Sequence, residues 1–137
     1  MKPADKVVLD SFALLAFLAD EPGADKVSEI FEHGRRHAGS VWMSVINLGE
    51  CLYIIERERG LAAAHRAIAA VRQLPVTEAG ADRERTFNAA HIKAHHKLSF
   101  ADAFAVALAQ EKSASVVTGD PEFAQVESLV PVLWLPR

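Results

Sequence analysis

The stretch Lys6-Val7-Val8-Leu9-Asp10 decides the fold class, because it is a short apolar run that closes on an acid. A run of this length predicts a buried β-strand. Working outward, helices are predicted over Ser11–Leu18 and Ala24–Arg36, and a second strand over 41–43. This alternation of strands and helices indicates an α/β fold with a mainly parallel central sheet.

The rest of the chain continues the alternation. Ser44 is a suitable N-cap and Gly60 a suitable C-terminal stop for a helix between them. Further helices are predicted over 61–73, 81–95 and 100–111, and further strands over 75–77, 115–118 and 132–135. No repeat, low-complexity segment or linker interrupts the pattern, so we expect a single domain over residues 1–137.

Composition and charge exclude several classes of protein. Half of the 137 residues are hydrophobic and 24% are charged, as in ordinary globular proteins, and the single cysteine, Cys51, cannot form an internal disulfide. The longest apolar stretch, 7–19, is interrupted by Asp10 and Ser11, whereas a membrane-spanning helix needs about 20 apolar residues. We therefore expect a cytoplasmic protein. The net charge of −3 argues mildly against a nucleic-acid binder, but it does not show where the charges lie.

Four acids occupy positions that suit a binding site. Asp10 closes the first strand and Asp120 follows the strand at 115–118, and open parallel sheets bind ligands at such strand ends. Glu50 and Asp102 stand instead in apolar stretches of predicted helices. A buried carboxylate without a partner is costly, so each of these two needs a base, a proton or a metal ion.

Each acid also has a purely structural interpretation. Asp10 and Asp120 are good N-caps, Ser99-x-x-Asp102 fits a capping box, and Glu50 could pair with an arginine. Capping does not account for Glu50, however, and a convergence of all four acids would require a cation. Two unit charges about 4 Å apart repel by about 4 kcal/mol at an effective dielectric constant of about 20. Oxygen-only ligands favour Mg²⁺ or Mn²⁺, which can polarise a phosphoryl oxygen.

The motifs that carry these acids resemble those of the PIN domain. They are Val8-Leu9-Asp10-Ser11, Asn47-Leu48-Gly49-Glu50, Leu98-Ser99-Phe100-Ala101-Asp102-Ala103 and Thr118-Gly119-Asp120-Pro121-Glu122-Phe123. Within that family the chain is most similar to the VapC-type toxin ribonucleases of bacterial toxin–antitoxin pairs. The resemblance extends from Asp10 to Phe123.

The resemblance implies a sheet of about five strands between helices and an endoribonuclease that depends on Mg²⁺ or Mn²⁺. It implies that Asp10, Glu50, Asp102 and Asp120 form the catalytic, metal-binding quartet, and that Thr118 supplies a supporting hydroxyl. It also implies structured RNA such as tRNA as the substrate. The implied partners are a small antitoxin and a second copy of the chain, as a homodimer.

Other functions fit the sequence less well. A receiver-type signalling domain usually has adjacent acids after its first strand and a lysine after its last, but Ser11 follows Asp10 and no lysine lies beyond Lys112. A haloacid-dehalogenase-type phosphatase needs an acid where Phe12 stands. The four acids argue against a PIN-like binding module without catalysis. A PIN-domain nuclease that processes RNA outside any toxin pair stays open.

Several further residues have two interpretations. His91, His95 and His96 are interpreted as a polar, RNA-contacting face beside Lys93 and Lys97 rather than as zinc ligands. Both tryptophans are expected in the core rather than as platforms for base stacking: Trp42 and Trp134. Five apolar residues are expected either in the core or on a dimer or antitoxin surface: Phe12, Leu15, Leu48, Leu52 and Ile55.

Overall fold

The fold is built on one sheet whose five strands are all parallel, as a computed structural model covering residues 1–137 shows. The strands are β1 Val7–Leu9, β2 Val41–Ser44, β3 Thr77–Ala79, β4 Ser115–Thr118 and β5 Val132–Trp134. Their order across the sheet is β3-β2-β1-β4-β5. The predicted α/β class with a parallel sheet is confirmed.

Six α-helices and one 3₁₀ helix connect and cover the strands. They are α1 Ser11–Leu18, α2 Ala24–Arg36, α3 Val45–Arg59, α4 Leu61–Val71, α5 Arg83–His95, α6 Phe100–Lys112 and the 3₁₀ helix Pro121–Val126. The hydroxyl oxygen of Ser44 accepts a hydrogen bond from the N–H of Ile46 and so caps α3, and Gly60 ends that helix. The predicted caps of α3 are therefore confirmed. No helix is both long enough and apolar enough to cross a membrane.

At the two edges of the sheet, the structure differs from the sequence prediction in the position of one strand and in the burial of one tryptophan. The strand expected over 75–77 lies at Thr77–Ala79 instead. Pro75 has no N–H to donate to a neighbouring strand, and the edge strand exposes two of its three residues, so its sequence lacks an apolar run. Trp134 lies on the other edge strand and is 38% exposed, so its prediction as a core residue is wrong. Trp42 is half-buried and packs against the core.

The sheet separates two apolar layers, because successive side chains of a strand point to opposite faces. Val8 and Val116 face the layer that contains α5 and α6. Leu9 and Val117 face the layer that contains α1 and α2. The central strands are therefore buried on both faces, which fixes their register and the positions of the residues that follow them.

The point at which the strand order reverses lies between β1 and β4, at the centre of the sheet. Leu9 of β1 is paired with Val117 of β4. The chain builds β2 and β3 on one side of β1 and then returns to add β4 and β5 on the other. A crevice opens at the carboxyl ends of strands at such a point, and it is where α/β proteins bind ligands.

Candidate metal centre

Asp10 enters the crevice directly from β1. It caps α1, where its Oδ1 accepts a hydrogen bond of 2.9 Å from the N–H of Ala13, and it is 1% exposed. Burial raises the pKa of Asp10 to about 7, although hydrogen bonds from Thr118 and Ala13 oppose the shift. The nearby charges of Asp102 and Asp120 raise the pKa further.

Asp102 enters the same crevice from the first turn of α6. Ser99 caps this helix, because its hydroxyl oxygen accepts a hydrogen bond of 3.0 Å from the N–H of Asp102. Burial raises the pKa of Asp102 to about 6, and the negative charge of Asp120 is the next largest cause. The charges of Glu50 and Glu122 act in the same direction.

Asp120 and Glu122 come from the turn after β4. The N–H of Asp120 donates to the hydroxyl of Thr118 over 3.0 Å, and Oδ1 of Asp120 accepts from the N–H of Glu122 over 2.9 Å. Carboxylate oxygens of Asp102, Asp120 and Glu122 all lie within 4.8 Å of one another. A Cβ at Gly119 would overlap the ring of Phe12, so glycine there allows α1 to pack closely against this turn.

Glu50 belongs to the same charged region but not to this closest group of three. It is half-buried on α3, and its charge raises the pKa values of Asp102 and Cys51. The structure therefore brings all four predicted acids to one edge of the sheet. It adds Glu122, which the sequence indicated only as part of a helix start. The two-residue spacing of Asp120 and Glu122 after a buried strand is the signal that could have identified it.

None of these five acids takes part in an ion pair. The salt bridges of the chain lie elsewhere and join Arg35 to Glu32, Arg85 to Asp82, Arg85 to Glu111, and Lys112 to Glu111. The alternative that Glu50 pairs with an arginine is therefore wrong. Clustered carboxylates without a base need protons or a cation, and a set of oxygen donors fits a hard divalent ion such as Mg²⁺ or Mn²⁺.

The prediction that some of these acids cap helices is also confirmed. Asp10 and Asp120 both cap the helix that follows them, and Ser99 caps α6. A carboxylate has two oxygens and about four lone-pair directions, so it can accept a capping hydrogen bond and still bind a metal ion. Capping fixes the side-chain directions and thereby helps to bring the carboxylates together.

Asn47 is a further residue of the centre whose role the sequence analysis missed. It is fully buried, and its Nδ2 donates to the hydroxyl of Ser11 over 3.3 Å and to the carbonyl of Ala101 over 3.1 Å. Ser11 follows Asp10 and Ala101 precedes Asp102, so one side chain of α3 ties together the first turns of α1 and α6. The signal was an amide within the half-buried, largely apolar row that leads to Glu50.

The histidines do not form a metal site. The rings of His91 and His95 stack at a centroid distance of 4.9 Å, and both residues are exposed on α5. They belong to no group of three side chains that could bind a metal ion. The interpretation of these histidines as a polar face is retained, and the zinc interpretation is not.

An apolar groove lies outside the acidic centre, between α1, α3 and α4. Its volume is about 430 Å³, and its lining includes Phe12, Leu15, Ile55 and Ala67. The five apolar residues for which either the core or a surface was expected are all half-buried: Phe12, Leu15, Leu48, Leu52 and Ile55. Three of them line the groove, so part of this apolar row faces outward.

The comparisons with known proteins agree with this architecture. A family model described as "PIN domain" matches residues 7–129. The VapC20 toxin of Mycobacterium tuberculosis, described as cleaving the sarcin–ricin loop, superposes with a TM-score of 0.73 at 19% identity, over 96% of this chain and 100% of that chain. VapBC2 from Rickettsia felis, solved with a DNA fragment from its promoter, gives a TM-score of 0.72 at 12% identity, over 95% of this chain and 98% of that chain.

A third similar structure is PAE2754 from Pyrobaculum aerophilum, with a TM-score of 0.67 at 18% identity, over 95% of this chain and 89% of that chain. At such low identities the likeness shows the fold alone. No curated protein sequence gave a significant match.

Proposed function

This chain belongs to the PIN domain family, and from that premise we propose that it is a metal-dependent endoribonuclease, the toxin of a toxin–antitoxin pair. The observation that carries the proposal is the convergence of Asp10, Glu50, Asp102 and Asp120, none of them in an ion pair, at the carboxyl edge of the sheet. The similarity to the fold of toxins such as VapC20 supports it.

The catalytic set is the quartet expected from the sequence, joined by Glu122. Asp102, Asp120 and Glu122 would hold a Mg²⁺ or Mn²⁺ ion, with Asp10 and Glu50 beside them. When bound, such an ion polarises a phosphoryl oxygen and lowers the pKa of a coordinated water. No histidine belongs to this group of acids, so the proposed chemistry requires no histidine as a general base.

Thr118 is proposed as a positioning residue for two of these acids. Its hydroxyl accepts a hydrogen bond from the N–H of Asp120 and is hydrogen-bonded to the carboxylate of Asp10. One buried hydroxyl thus sets the spacing between the ends of β1 and β4. This is the supporting role that the resemblance to the PIN family implied for Thr118.

The proposed substrate is structured cellular RNA such as tRNA. Hydrolysis would leave 5′-phosphate and 3′-hydroxyl ends. The proposed partners are a small antitoxin and a second copy of the chain, and the proposed location is the cytoplasm. Several solved structures of similar fold are toxin–antitoxin complexes, among them one from Klebsiella pneumoniae.

The apolar groove is where we expect the antitoxin to bind. A cavity of about 430 Å³ with Phe12, Leu15 and Ile55 in its lining suits the apolar face of a partner helix. Glu58, Arg59 and the other charged residues of its lining supply a polar rim for such a contact.

The test uses purified protein with cellular RNA in Mg²⁺, in EDTA and as the Asp10→Asn variant. Asp25→Asn is the matched control, because Asp25 is an exposed acid in the first turn of α2. We expect cleavage only by the parent and the control, and only with metal. Full Mg²⁺-dependent cleavage by Asp10→Asn would refute the proposal.

Induction in cells then separates a toxin from a processing enzyme. For a toxin, induction should arrest growth. Sequencing of newly formed 5′-phosphate RNA ends should then show one dominant cut that is absent on induction of Asp10→Asn. Metal-dependent cleavage without growth arrest would instead assign an RNA-processing nuclease outside a toxin–antitoxin pair.

A further inference from the structure

A positively charged segment leads into the acidic centre along α5. Between Glu84 and Asp102 the sequence contains Arg85, Lys93, Lys97 and three histidines but no aspartate or glutamate. This is unusual in a chain whose net charge is −3. Arg85 is paired with Glu111, but Lys93 and Lys97 are in no ion pair, so the segment offers a local positive surface that the total charge conceals.

Exposed rings and exposed basic side chains lie close together along α5 and at the start of α6, and we call this set the basic–aromatic surface. It consists of Arg83, Phe87, His91, His95, Lys97 and Phe100, all of them exposed. The first four are spaced by four residues and so form one row along α5. The Cζ atom of Arg83 lies 4.7 Å from the ring centroid of Phe87, and the rings of His91 and His95 are 4.9 Å apart.

The inner end of this surface is attached to the acidic centre. The N–H of Lys97 donates to Oε1 of Gln125 over 2.9 Å, and Nε2 of Gln125 donates to the carbonyls of Lys97 and Glu122 over 3.0 Å each. Gln125 therefore holds the turn between α5 and α6 against the 3₁₀ helix that carries Glu122. Phe100, at the start of α6, is two residues from Asp102 and 46% exposed.

These features fit one kind of occupant. Basic side chains can neutralise phosphates along a chain, and exposed rings stack on bases of any sequence. Phe87 is 57% exposed, so its ring is accessible to a base. A second copy packed on the same surface would bring its own Arg83 and Lys97 close to those of the first copy, and the repulsion between like charges opposes this contact.

We infer that the basic–aromatic surface binds a single-stranded flank of the RNA substrate and guides it into the acidic centre. The row from Arg83 to His95 extends about 18 Å along the helix. Phosphates would contact Arg83 and Lys97, and bases would stack on Phe87 and Phe100. This inference rests on the proposed function, whose substrate it helps to define.

The experiment measures binding separately from cleavage. A fluorescein-labelled single-stranded RNA of about 12 nucleotides is titrated with the full chain in EDTA, and its anisotropy gives Kd at several salt concentrations. The variants are Phe87→Ala and Lys97→Gln. The matched controls are Leu61→Ala, an exposed apolar residue of α4, and Arg36→Gln, an exposed base of α2.

Phe87→Ala should raise Kd about tenfold, because one stacked base is lost. Lys97→Gln should also weaken binding and should reduce the slope of log Kd against log salt by about 0.7, as expected for one lost phosphate contact. The controls should bind like the parent. Circular dichroism confirms the folding of every variant, and sedimentation velocity reports its oligomeric state.

The inference is overturned if the parent does not bind RNA, or if the two variants bind as tightly as the controls. It is also overturned if weaker binding always accompanies dissociation of a dimer, since the surface would then be an interface between copies. Cleavage by the parent in Mg²⁺ is scored independently. If the parent cleaves RNA but the variants bind RNA as tightly as the controls do, the proposed RNA-binding role of this surface is wrong and the nuclease proposal stands.

Discussion

The two ends of helix α6 hold acids in opposite electrostatic environments. At its start, burial and the charge of Asp120 raise the pKa of Asp102 to about 6. At its end, Glu111 accepts hydrogen bonds of 3.0 Å from both Nε and Nη2 of Arg85 and lies 3.3 Å from Nζ of Lys112. The hydrogen bonds from Arg85 lower the pKa of Glu111, and Lys112 adds to that effect.

The difference shows how one helix serves two purposes. Glu111 is neutralised by bases of the same chain, so it is satisfied in the folded protein and stabilises the contact between α5 and α6. Asp102 has acids for neighbours, so the folded protein leaves its charge uncompensated. A carboxylate with this environment is suited to an external cation, and an acid with the environment of Glu111 is not.

The largest expected difference between the two ends of α6 is in their effect on catalysis. Asp102→Asn should reduce Mg²⁺-dependent RNA cleavage by more than about 100-fold, since loss of even an indirect contact to a metal costs about 10–100-fold. Glu111→Gln, on the same helix, should leave cleavage within about threefold of the parent. Initial rates on one labelled RNA measure both. Equal losses in the two variants would mean that the ends of α6 do not differ in the proposed way.

The next effect is on the pH dependence of stability without metal. Asp10 has a pKa of about 7 when folded and an ordinary value of 3.8. As the pH rises from about 4 to about 7, the unfolded chain loses this proton before the folded chain does, so ionisation lowers the free energy of unfolding. The loss should be on the order of 3 kcal/mol and should level off above pH 7.

Urea denaturation in EDTA at pH 4 and pH 8 measures this loss for the parent and for Asp10→Asn. Asparagine keeps the N-cap of α1 but carries no charge. The difference in unfolding free energy between the two proteins should therefore grow with pH in favour of the variant. A difference that is the same at both pH values would show that Asp10 does not carry the penalty.

A third effect concerns Asn47, which joins the start of α6 to α1. Asn47→Ala removes the hydrogen bonds from Nδ2 to Ser11 and Ala101 and should lower the free energy of unfolding by about 2 kcal/mol. If Asn47 also positions the acids, kcat should fall more than KM changes, and the increase in Tm caused by Mn²⁺ should shrink. The substitution Ala101→Gly, which keeps the carbonyl acceptor, controls for local destabilisation of the helix. An unchanged kcat in a folded Asn47→Ala variant would leave the residue a purely structural role.

The smallest expected effect is the change in the stability of the protein when the acid at either end of α6 loses its charge. In EDTA at pH 8, Asp102→Asn should stabilise the protein by about 1 kcal/mol, because it removes an uncompensated charge. Glu111→Gln should destabilise it by less than about 1 kcal/mol, because it breaks a partly exposed ion pair at the surface. Thermal unfolding measures both signs. Addition of Mn²⁺ should raise the Tm of the parent and of Glu111→Gln by similar amounts, and that of Asp102→Asn by less.

The elements predicted correctly are those whose signals are local. Ser44, Ser99 and Gly60 act on their own helix ends through hydrogen bonds to neighbouring residues, so the sequence near them is sufficient to place α3 and the start of α6. Strand β4 was placed correctly because its two central residues, Val116 and Val117, are apolar and are buried on opposite faces of the sheet. The edge strand β3 was displaced, since an exposed strand has no apolar run to mark it.

The sequence was sufficient to predict four acids of the candidate centre, but not its other members or its geometry. The positions of Asp10 and Asp120 after strands, and of Glu50 and Asp102 within apolar helices, identified the four acids. Glu122 and Asn47 were missed, because their roles depend on contacts with residues far away along the chain. The sequence around Glu122 indicates only the start of a helix, and the sequence around Asn47 indicates only an amide side chain within a helix.

The sequence alone determined the α/β class, most helix boundaries and the acids available for a metal ion, because these follow from local periodicity, capping and residue chemistry. Only the tertiary structure decided that Asp102, Asp120 and Glu122 come within 4.8 Å of one another while Glu50 stays outside that group. It also decided that the bases of this chain neutralise Glu111 and none of the acids in the crevice. The reason is that strand order and helix packing set distances between residues far apart in sequence, and the charge environment of a carboxylate depends on those distances.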